Sequence, residues 1–320
     1  SVSGGTTEEI KKIVESKGYT IGENFGVCFC PERIDPQNKK WNLENIPRII
    51  YCSDDISFEI MKIIYHHVNN ANLLRVSSSK VAEVVKSYEN AFRLVNISLV
   101  NELAILCDKL GINVKEVIKA ASTKPFGFMP FFPGAGAGGH CIPKDPRFLL
   151  EAAMKNNLEF TTIQNALEIN SKIPLYICDK IEDRLNELGL EKTVLVCGLT
   201  YKADVEDMRD SPGFKILNEL KSRNFNVIAH DPFYKSELLE KYLKENYLVK
   251  LDFEHKNNLD HSILEKINCL CVVQHHTKDK YKIKEIYEKS NIPFIYDCQN
   301  QIVKNIESKT FLDFLGNVNS

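Results

Sequence analysis

A chain of 320 residues is long enough for about two domains with sizeable cores. Its 41 Lys and Arg nearly balance 43 Asp and Glu, a net charge of −2, so no strong field favours nucleic acid or an anionic membrane. An apolar share of 43% with 26% charged residues argues against disorder, and no apolar run approaches the roughly 20 residues of a bilayer span.

The opening SVSGGTTEEIKK lacks the basic and apolar regions of a signal peptide. It reads as a turn, as if further chain preceded it. Residues 6–17 suggest a short helix. GVCFCPE (26–32), RIIYC (48–52) and NLLRVSS (72–78) read as strands around a helix near 56–68, the alternation of a wound parallel sheet. From Ser53 to Leu110 there is neither Gly nor Pro, and Val81, Val84, Val85, Tyr88, Phe92, Val95, Leu99, Leu103 and Leu106 recur at helical spacing. With Ser79 as N-cap and Gly111 as the stop, this predicts a helix approaching 30 residues, read as a spine between domains. Helices follow near 114–121, 146–155 and 160–187, separated by the Gly- and Pro-rich run 124–146. TVLVCG, NVIAHD, NCLCVV and PFIYDC (193–198, 226–231, 268–273, 293–298) are near-continuous apolar runs, as in parallel strands buried on both faces. The fold class is therefore α/β. It comprises a partial N-terminal Rossmann-like sheet (1–78), a long central helix with a helical domain (79–188) and a complete doubly wound domain (189–320).

The ten cysteines include no CxxC pair and no zinc spacing. Cys28/Cys30 and Cys269/Cys271 share strand faces and read as reduced apolar filler of a cytoplasmic protein. The Gly-rich loop stands apart. Gly134, Gly136, Gly138 and Gly139 lead into His140, Cys141, Lys144 and Asp145. A cysteine at the threshold of a helix has amides nearby that lower a thiol pKa and stabilise an oxyanion, so Cys141 reads as a nucleophile. Asp145 either orients a water or serves as a carboxylate at a helix start. Lys86 and Asn90, at i,i+4, are either an oxyanion clamp or a solvated face. Ser211 with Pro212 marks a clean helix start after the strand-and-loop VLVCGLTYKADVEDMRDSP. No dinucleotide fingerprint GxGxxG is read in the chain, so phosphate binding there falls to Lys202, Arg209 and backbone amides. Asp231 is a ribose-binding acid or a turn cap. His275 and His276 read as surface or structural rather than metal ligands.

Four blocks, CPERIDP (30–36), VAEVVKSYENAFRLVNISLVNELA (81–104), TKPFGFMPFFPGAGAGGHCIPKDP (123–146) and VLVCGLTYKADVEDMRDSP (194–212), resemble the UDP-glucose/GDP-mannose dehydrogenase family in order and over nearly the whole chain. PERI, TKPFGFMPF and Pro36 in place of a carboxylate make it more similar to the branch acting on UDP-N-acetylhexosamines than to the UDP-glucose branch. The resemblance implies an NAD-dependent four-electron oxidation at C6 to the uronate, through a thiohemiacetal and a thioester on Cys141. It implies that Lys86 and Asn90 hold developing charge and the attacking water, that Asp145 activates that water, and that Glu32 is the acid/base. Phe132, Gly134, Gly136 and Gly138 would pass the sugar phosphates, with Tyr201 and Lys202 receiving UDP. Ser1, Lys144 and Arg209 fall on the NAD side, and Gln299 stands where the family commonly has a substrate-binding arginine. The long helix would make a homodimer. The family's NAD fingerprint would precede Ser1, and the other readings are a truncated, non-catalytic UDP-sugar-binding and dimerisation module, a UDP-glucose 6-dehydrogenase or, more remotely, a cysteine thioester hydrolase.

Overall fold

The computed structural model describes residues 5–35, 38, 40–68, 72–247, 254–256, 258–259, 261–289, 291–302 and 310–316. They fall into two compact units, one of residues 1–93 and 144–164, the other of 94–143 and 165–320. The division runs within two helices, the 32-residue α3 (Ser79–Leu110) and α6 (Thr161–Glu187).

The first unit holds α1 (Thr6–Glu15), β1 (Cys28–Phe29), β2 (Arg48–Cys52), α2 (Asp55–Val68) and β3 (Leu73–Arg75). A wound parallel sheet was expected here, but the three strands, in the order β1-β2-β3, pair antiparallel and then parallel. The β-branched RIIYC run is its buried centre: Ile49, Ile50 and Cys52 are all buried. By contrast α2 has no buried residue, and its stripe Ile56, Ile60, Ile63 and Ile64 is exposed. Buried Glu83 of α3 holds the start of α1 by accepting the Gly5 and Thr7 amides and the Thr7 hydroxyl. The cap of α3 is Ser78, whose Oγ accepts the Val81 amide at 3.3 Å, rather than Ser79, whose hydroxyl donates to Glu8. At its other end Gly111 takes φ +74°, the left-handed stop that its sequence position predicted. An 18-residue window of α3 reaches a mean hydropathy of 1.2, so by length and composition this helix passes the test for a membrane span. Only part of that apolar content is buried: Val100, Ala104 and Cys107 lie in the core of the second unit, while Val81, Val84, Phe92, Leu99 and Leu106 are exposed.

That second unit also contains α4 (Val114–Ala121) and a six-stranded, all-parallel sheet. Its strands are β4 (Thr193–Cys197), β5 (Asn226–His230), β6 (Glu254–Lys256), β7 (Cys269–Val272), β8 (Phe294–Asp297) and β9 (Phe311–Phe314), in the order β6-β5-β4-β7-β8-β9. Alternate residues of β4 feed opposite cores. Val194 and Val196 pack with Ile173, Ile177 and Ile181 of α6 and with Phe214 and Leu217 of α7 (Pro212–Ser222). Leu195 and Cys197 pack with Ile283 and Ile286 of α10 (Lys280–Lys289). Coverage on both faces is why these strands read as unbroken apolar runs. β6 and β9 escape such a reading because EHK and FLDF are short and carry charge.

Candidate functional site

In the first unit the register of β1 and β2 organises the carboxylate of Glu32. Cys28 faces Cys52 and Phe29 faces Tyr51. The same register carried onward sets Glu32 against Arg48, and Arg48 Nη1 lies 3.0 Å from both Glu32 oxygens. Burial alone would raise the Glu32 pKa, but the Ile34 amide, the Arg48 guanidinium and the Arg33 amide outweigh it and leave the carboxyl below its ordinary value. Glu32 is thus held as a carboxylate. At the other end of this short ladder Cys28 and Cys52 form a disulfide, which corrects the expectation that Cys28 is a reduced filler. Cys30, on the same strand face, is a free and half-buried thiol whose pKa burial pushes up.

Arg33 is committed elsewhere, donating to both oxygens of Glu89 and to the Pro47 carbonyl. It also lines a cavity of about 350 Å³ with Asp35, Asn38, Trp41, Ile46 and Pro47. No sequence period pointed to that cavity.

Lys86 and Asn90 are both half-buried on α3. Asn90 Nδ2 donates to Asp145 Oδ2 at 2.7 Å, and Asp145 is buried at the first position of α5 (Asp145–Lys155). Asp145 thus sits at a helix N-terminus, and the Asn90 amide orients its carboxylate. Lys86 makes no hydrogen bond or ion pair among the described residues. Lys144, the residue before α5, is exposed. Ser1 lies outside the described residues.

In the second unit the Gly-rich loop is built by contact on both sides. Asn101 of α3 accepts the Gly134 amide at 3.0 Å, and Asn170 of α6 both accepts the Ala137 amide and donates to its carbonyl. The Gly139 amide donates to Arg209 O at 2.9 Å. A Cβ on Gly138 would stand 2.7 Å from Asp210 O, and one on Gly139, whose φ is +84°, would stand 2.8 Å from the Tyr201 ring. Only glycine permits this approach. Gly134, Gly136 and Gly139 do fall at GxGxxG spacing, which corrects the reading that the chain lacks it. The run follows no strand and opens no helix, so the setting of a dinucleotide-binding turn is missing. The loop delivers Cys141 as an exposed thiol and leaves Phe132 exposed.

Tyr201 and Lys202, both half-buried, lie on the loop between β4 and α7, and the Tyr201 carbonyl accepts from Gln274. Arg209, expected to reach toward NAD, is bound through Nε and Nη2 to Asp207. Gln299 donates to Gln274 and accepts from Gln301, so it sits at the carboxyl end of β8 in an amide chain. Ser211 caps α7 by accepting the Gly213 amide at 3.1 Å, as the Ser-Pro pair predicted. Asp231 resolves as a cap: its fully buried carboxylate accepts the Leu199, Thr200 and Phe233 amides and contacts His276. Burial opposes its charge, but the His276 bond and these amides hold its pKa below the ordinary value. His275 pairs with Asp297 at 2.7 Å, so both histidines are structural and neither is a surface residue. Sequence reasoning missed Arg48, Asn101, Asn170 and Asp207, because each acts on a residue for which no local spacing provides a sign.

The α/β architecture, with a parallel sheet whose first strand leads through a loop to a capped helix, defines a nucleotide-binding class of protein. Family models describe the source of that class. The central domain of the UDP-glucose/GDP-mannose dehydrogenase family matches residues 80–172, and the family's UDP binding domain matches residues 195–304. The chain belongs to the UDP-glucose/GDP-mannose dehydrogenase family. It is 35% identical over 309 residues to a UDP-N-acetyl-D-mannosamine dehydrogenase of Methanococcus vannielii, covering 95% of this chain and 66% of that protein. It is 33% identical over 238 residues to a UDP-N-acetyl-D-glucosamine 6-dehydrogenase of Pseudomonas aeruginosa, covering 73% of this chain and 56% of that one. The solved UDP-D-ManNAc dehydrogenase of Pyrococcus horikoshii superposes with a TM-score of 0.82 at 27% identity, covering 98% of this chain and 71% of that one. The chain thus spans just under two thirds of the length of the curated relatives it matches.

Proposed function

We propose that the protein takes part in the oxidation of a UDP-N-acetylhexosamine at C6 to the uronic acid, with Cys141 as the covalent nucleophile. The observation that carries this reading is the Gly134–Gly139 loop. It lies against Tyr201 and Arg209 of the domain matched as UDP-binding and ends at an exposed thiol. UDP bound at the carboxyl end of the parallel sheet would meet Tyr201, Lys202 and Gln299, and its sugar phosphates would follow Phe132, Gly134, Gly136 and Gly138. The Cys141 thiolate adds to the C6 aldehyde carbon as the carbonyl electron pair moves to oxygen, giving a hemithioacetal that keeps the aldehyde on the protein. In the first unit, Lys86 supplies an uncompensated ammonium to developing negative charge, Asn90 orients Asp145, and Asp145 takes the proton of the hydrolytic water. Glu32, held ionised by Arg48, accepts the proton of the C6 hydroxyl.

The oxidant of this reaction class is a nicotinamide dinucleotide, which would take one hydride from the C6 alcohol and a second from the hemithioacetal, leaving the thioester that the water hydrolyses to the uronate and the free thiol. The described residues do not fit a complete cradle for it, since Arg209 is taken up by Asp207 and Lys144 is an isolated exposed cation. The exposed stripe of α3, Val81, Val84, Tyr88, Phe92, Leu99 and Leu106, supports a homodimer through that helix. A cytoplasmic setting accords with a nucleotide-sugar substrate.

The engagement of Arg209 by Asp207 favours a second reading, a UDP-sugar-binding and dimerisation module without activity of its own. Calorimetric titration with UDP-N-acetylhexosamine and then NAD⁺ separates the two. Sugar-nucleotide binding followed by NADH formation, with Cys141→Ser halting at the aldehyde, supports the enzyme. Sugar-nucleotide binding with no NAD⁺ affinity supports the module, and no sugar-nucleotide binding removes both.

A further inference from the structure

The chemistry assigned to Cys141 depends on where its sulfur stands, yet the thiol is exposed and makes no hydrogen bond or ion pair among the described residues. Its place is therefore set by the backbone that leads to it. Four residues upstream, the peptide groups of Ala137 are held by one side chain. Asn170 Oδ1 accepts the Ala137 amide at 2.7 Å and Asn170 Nδ2 donates to the Ala137 carbonyl at 2.9 Å. This reciprocal pair is what a neighbouring β-strand supplies, and only a carboxamide carries both donor and acceptor in that arrangement.

The helix is shaped to admit the loop. Pro174 has no N–H, so the carbonyl of Asn170 lacks its usual helical donor. Gly136, at φ +115°, passes that carbonyl so closely that a Cβ would stand 3.3 Å from it. Asn101 provides a second anchor through the Gly134 amide. It is fully buried, and its Nδ2 finds no partner among the described residues, so packing alone does not explain an amide there. On the far side Gly138 and Gly139 lie against Tyr201 and Asp210 of the loop between β4 and α7 and against Pro212 at the start of α7. Ala135 and Ala137 are buried, so the segment has no slack sideways.

We propose that Asn170, seconded by Asn101, is a positioning residue that makes Gly134–Gly139 a rigid strut through which occupancy of the Tyr201–Arg209 loop fixes the Cys141 thiol. This rests on the reading of Cys141 as nucleophile and of the second unit as UDP-binding. Loss of the Asn170 pair frees the Ala137 peptide to rotate, so the thiol no longer senses the nucleotide loop.

The test is the rate of Cys141 alkylation by iodoacetamide, followed by peptide mass spectrometry with and without UDP, beside the UDP Kd from calorimetry. In the wild type, saturating UDP is expected to change the rate by about fivefold or more, the scale of a typical coupling between sites. In Asn170→Ala the UDP Kd stays near its wild-type value while the UDP effect on alkylation disappears. Asn170→Gln, which keeps donor and acceptor, restores part of the effect. Should Asn170→Ala fail to fold, Asn170→Gln and Asn101→Leu carry the test through a reduced UDP effect at near-normal Kd. Wild-type coupling retained in these variants, or UDP binding with no effect on wild-type Cys141, overturns the proposal. A wild type that binds no UDP overturns the functional reading beneath it, a result distinguishable because it appears in the Kd alone.

Discussion

The two units fix their candidate groups by different means. In the first, the sheet has three short strands, α2 buries nothing, and the candidate groups are tied through side chains: Glu32 by Arg48, Asp145 by Asn90, and β1 to β2 by a disulfide. In the second, a six-stranded sheet is covered on both faces, and the group of interest is placed through the backbone of the loop before it, held by the Asn170 side chain at Ala137 and by the Arg209 carbonyl at Gly139. A thin core leaves orientation to pairwise bonds, whereas a deep one has enough packing to fix a loop that carries almost no side chains.

Three measurements would break or sharpen that contrast. The largest effect belongs to the deep core: Phe294, fully buried on β8, should cost about 3–5 kcal/mol on truncation to Ala. A shift in urea midpoint worth less than about 1 kcal/mol would contradict the packing described. In the thin core the covalent tie between Cys28 and Cys52 spans a sequence separation of 24, and its loss should cost about 3 kcal/mol by loop-closure entropy. Hydrogen exchange near residues 27–29 and 51–53 should accelerate under dithiothreitol, or in a Cys28→Ser/Cys52→Ser double variant, with little change in residues 193–197. Equal acceleration in both regions would show that the two units do not differ in this way.

The smallest effect is electrostatic. Glu32 has a folded pKa below its ordinary 4.5, so its pairing with Arg48 stabilises the folded state above that pH, and the contribution is lost as pH falls through the lower folded value. Glu32 is more than half exposed, so solvent screening keeps the contribution under about 1 kcal/mol. Arg48→Met should therefore lower stability near pH 7 by up to about that amount, leave it unchanged below the folded pKa of Glu32, and so flatten the acid limb of a stability–pH profile. An unaltered acid limb would mean that the ion pair does not set the Glu32 charge.

Several particulars were legible in the residues. RIIYC gave its strand to the residue because its apolar, β-branched run is bounded on both sides, and the end of α3 is marked by Gly111. The parallel strands of the second unit showed through as apolar runs, and Ser211-Pro212 showed the start of α7. GVCFCPE was overextended, since only Cys28–Phe29 pairs as a strand, and its antiparallel direction was invisible because a strand's composition does not record which way its neighbour runs. The Cys28–Cys52 bridge was missed for the same reason: the spacing of cysteines along a chain does not reveal cross-strand register.

For the candidate site the division falls between local and distant partners. The blocks GGHCIPKDP and VKSYEN determine which groups are offered, Cys141, Asp145, Lys86 and Asn90, because their identities and helical spacing are local properties of the chain. The sequence likewise determines the two families of elements, since period and capping arise within a few residues. What the groups are bound to was decided only by tertiary structure. Arg48 meets Glu32 across 16 positions, Asn90 meets Asp145 across 55 and Asn170 meets Ala137 across 33. Such pairs have no period to read, because they exist only once burial has brought separate segments together and obliged each polar group among them to find a partner.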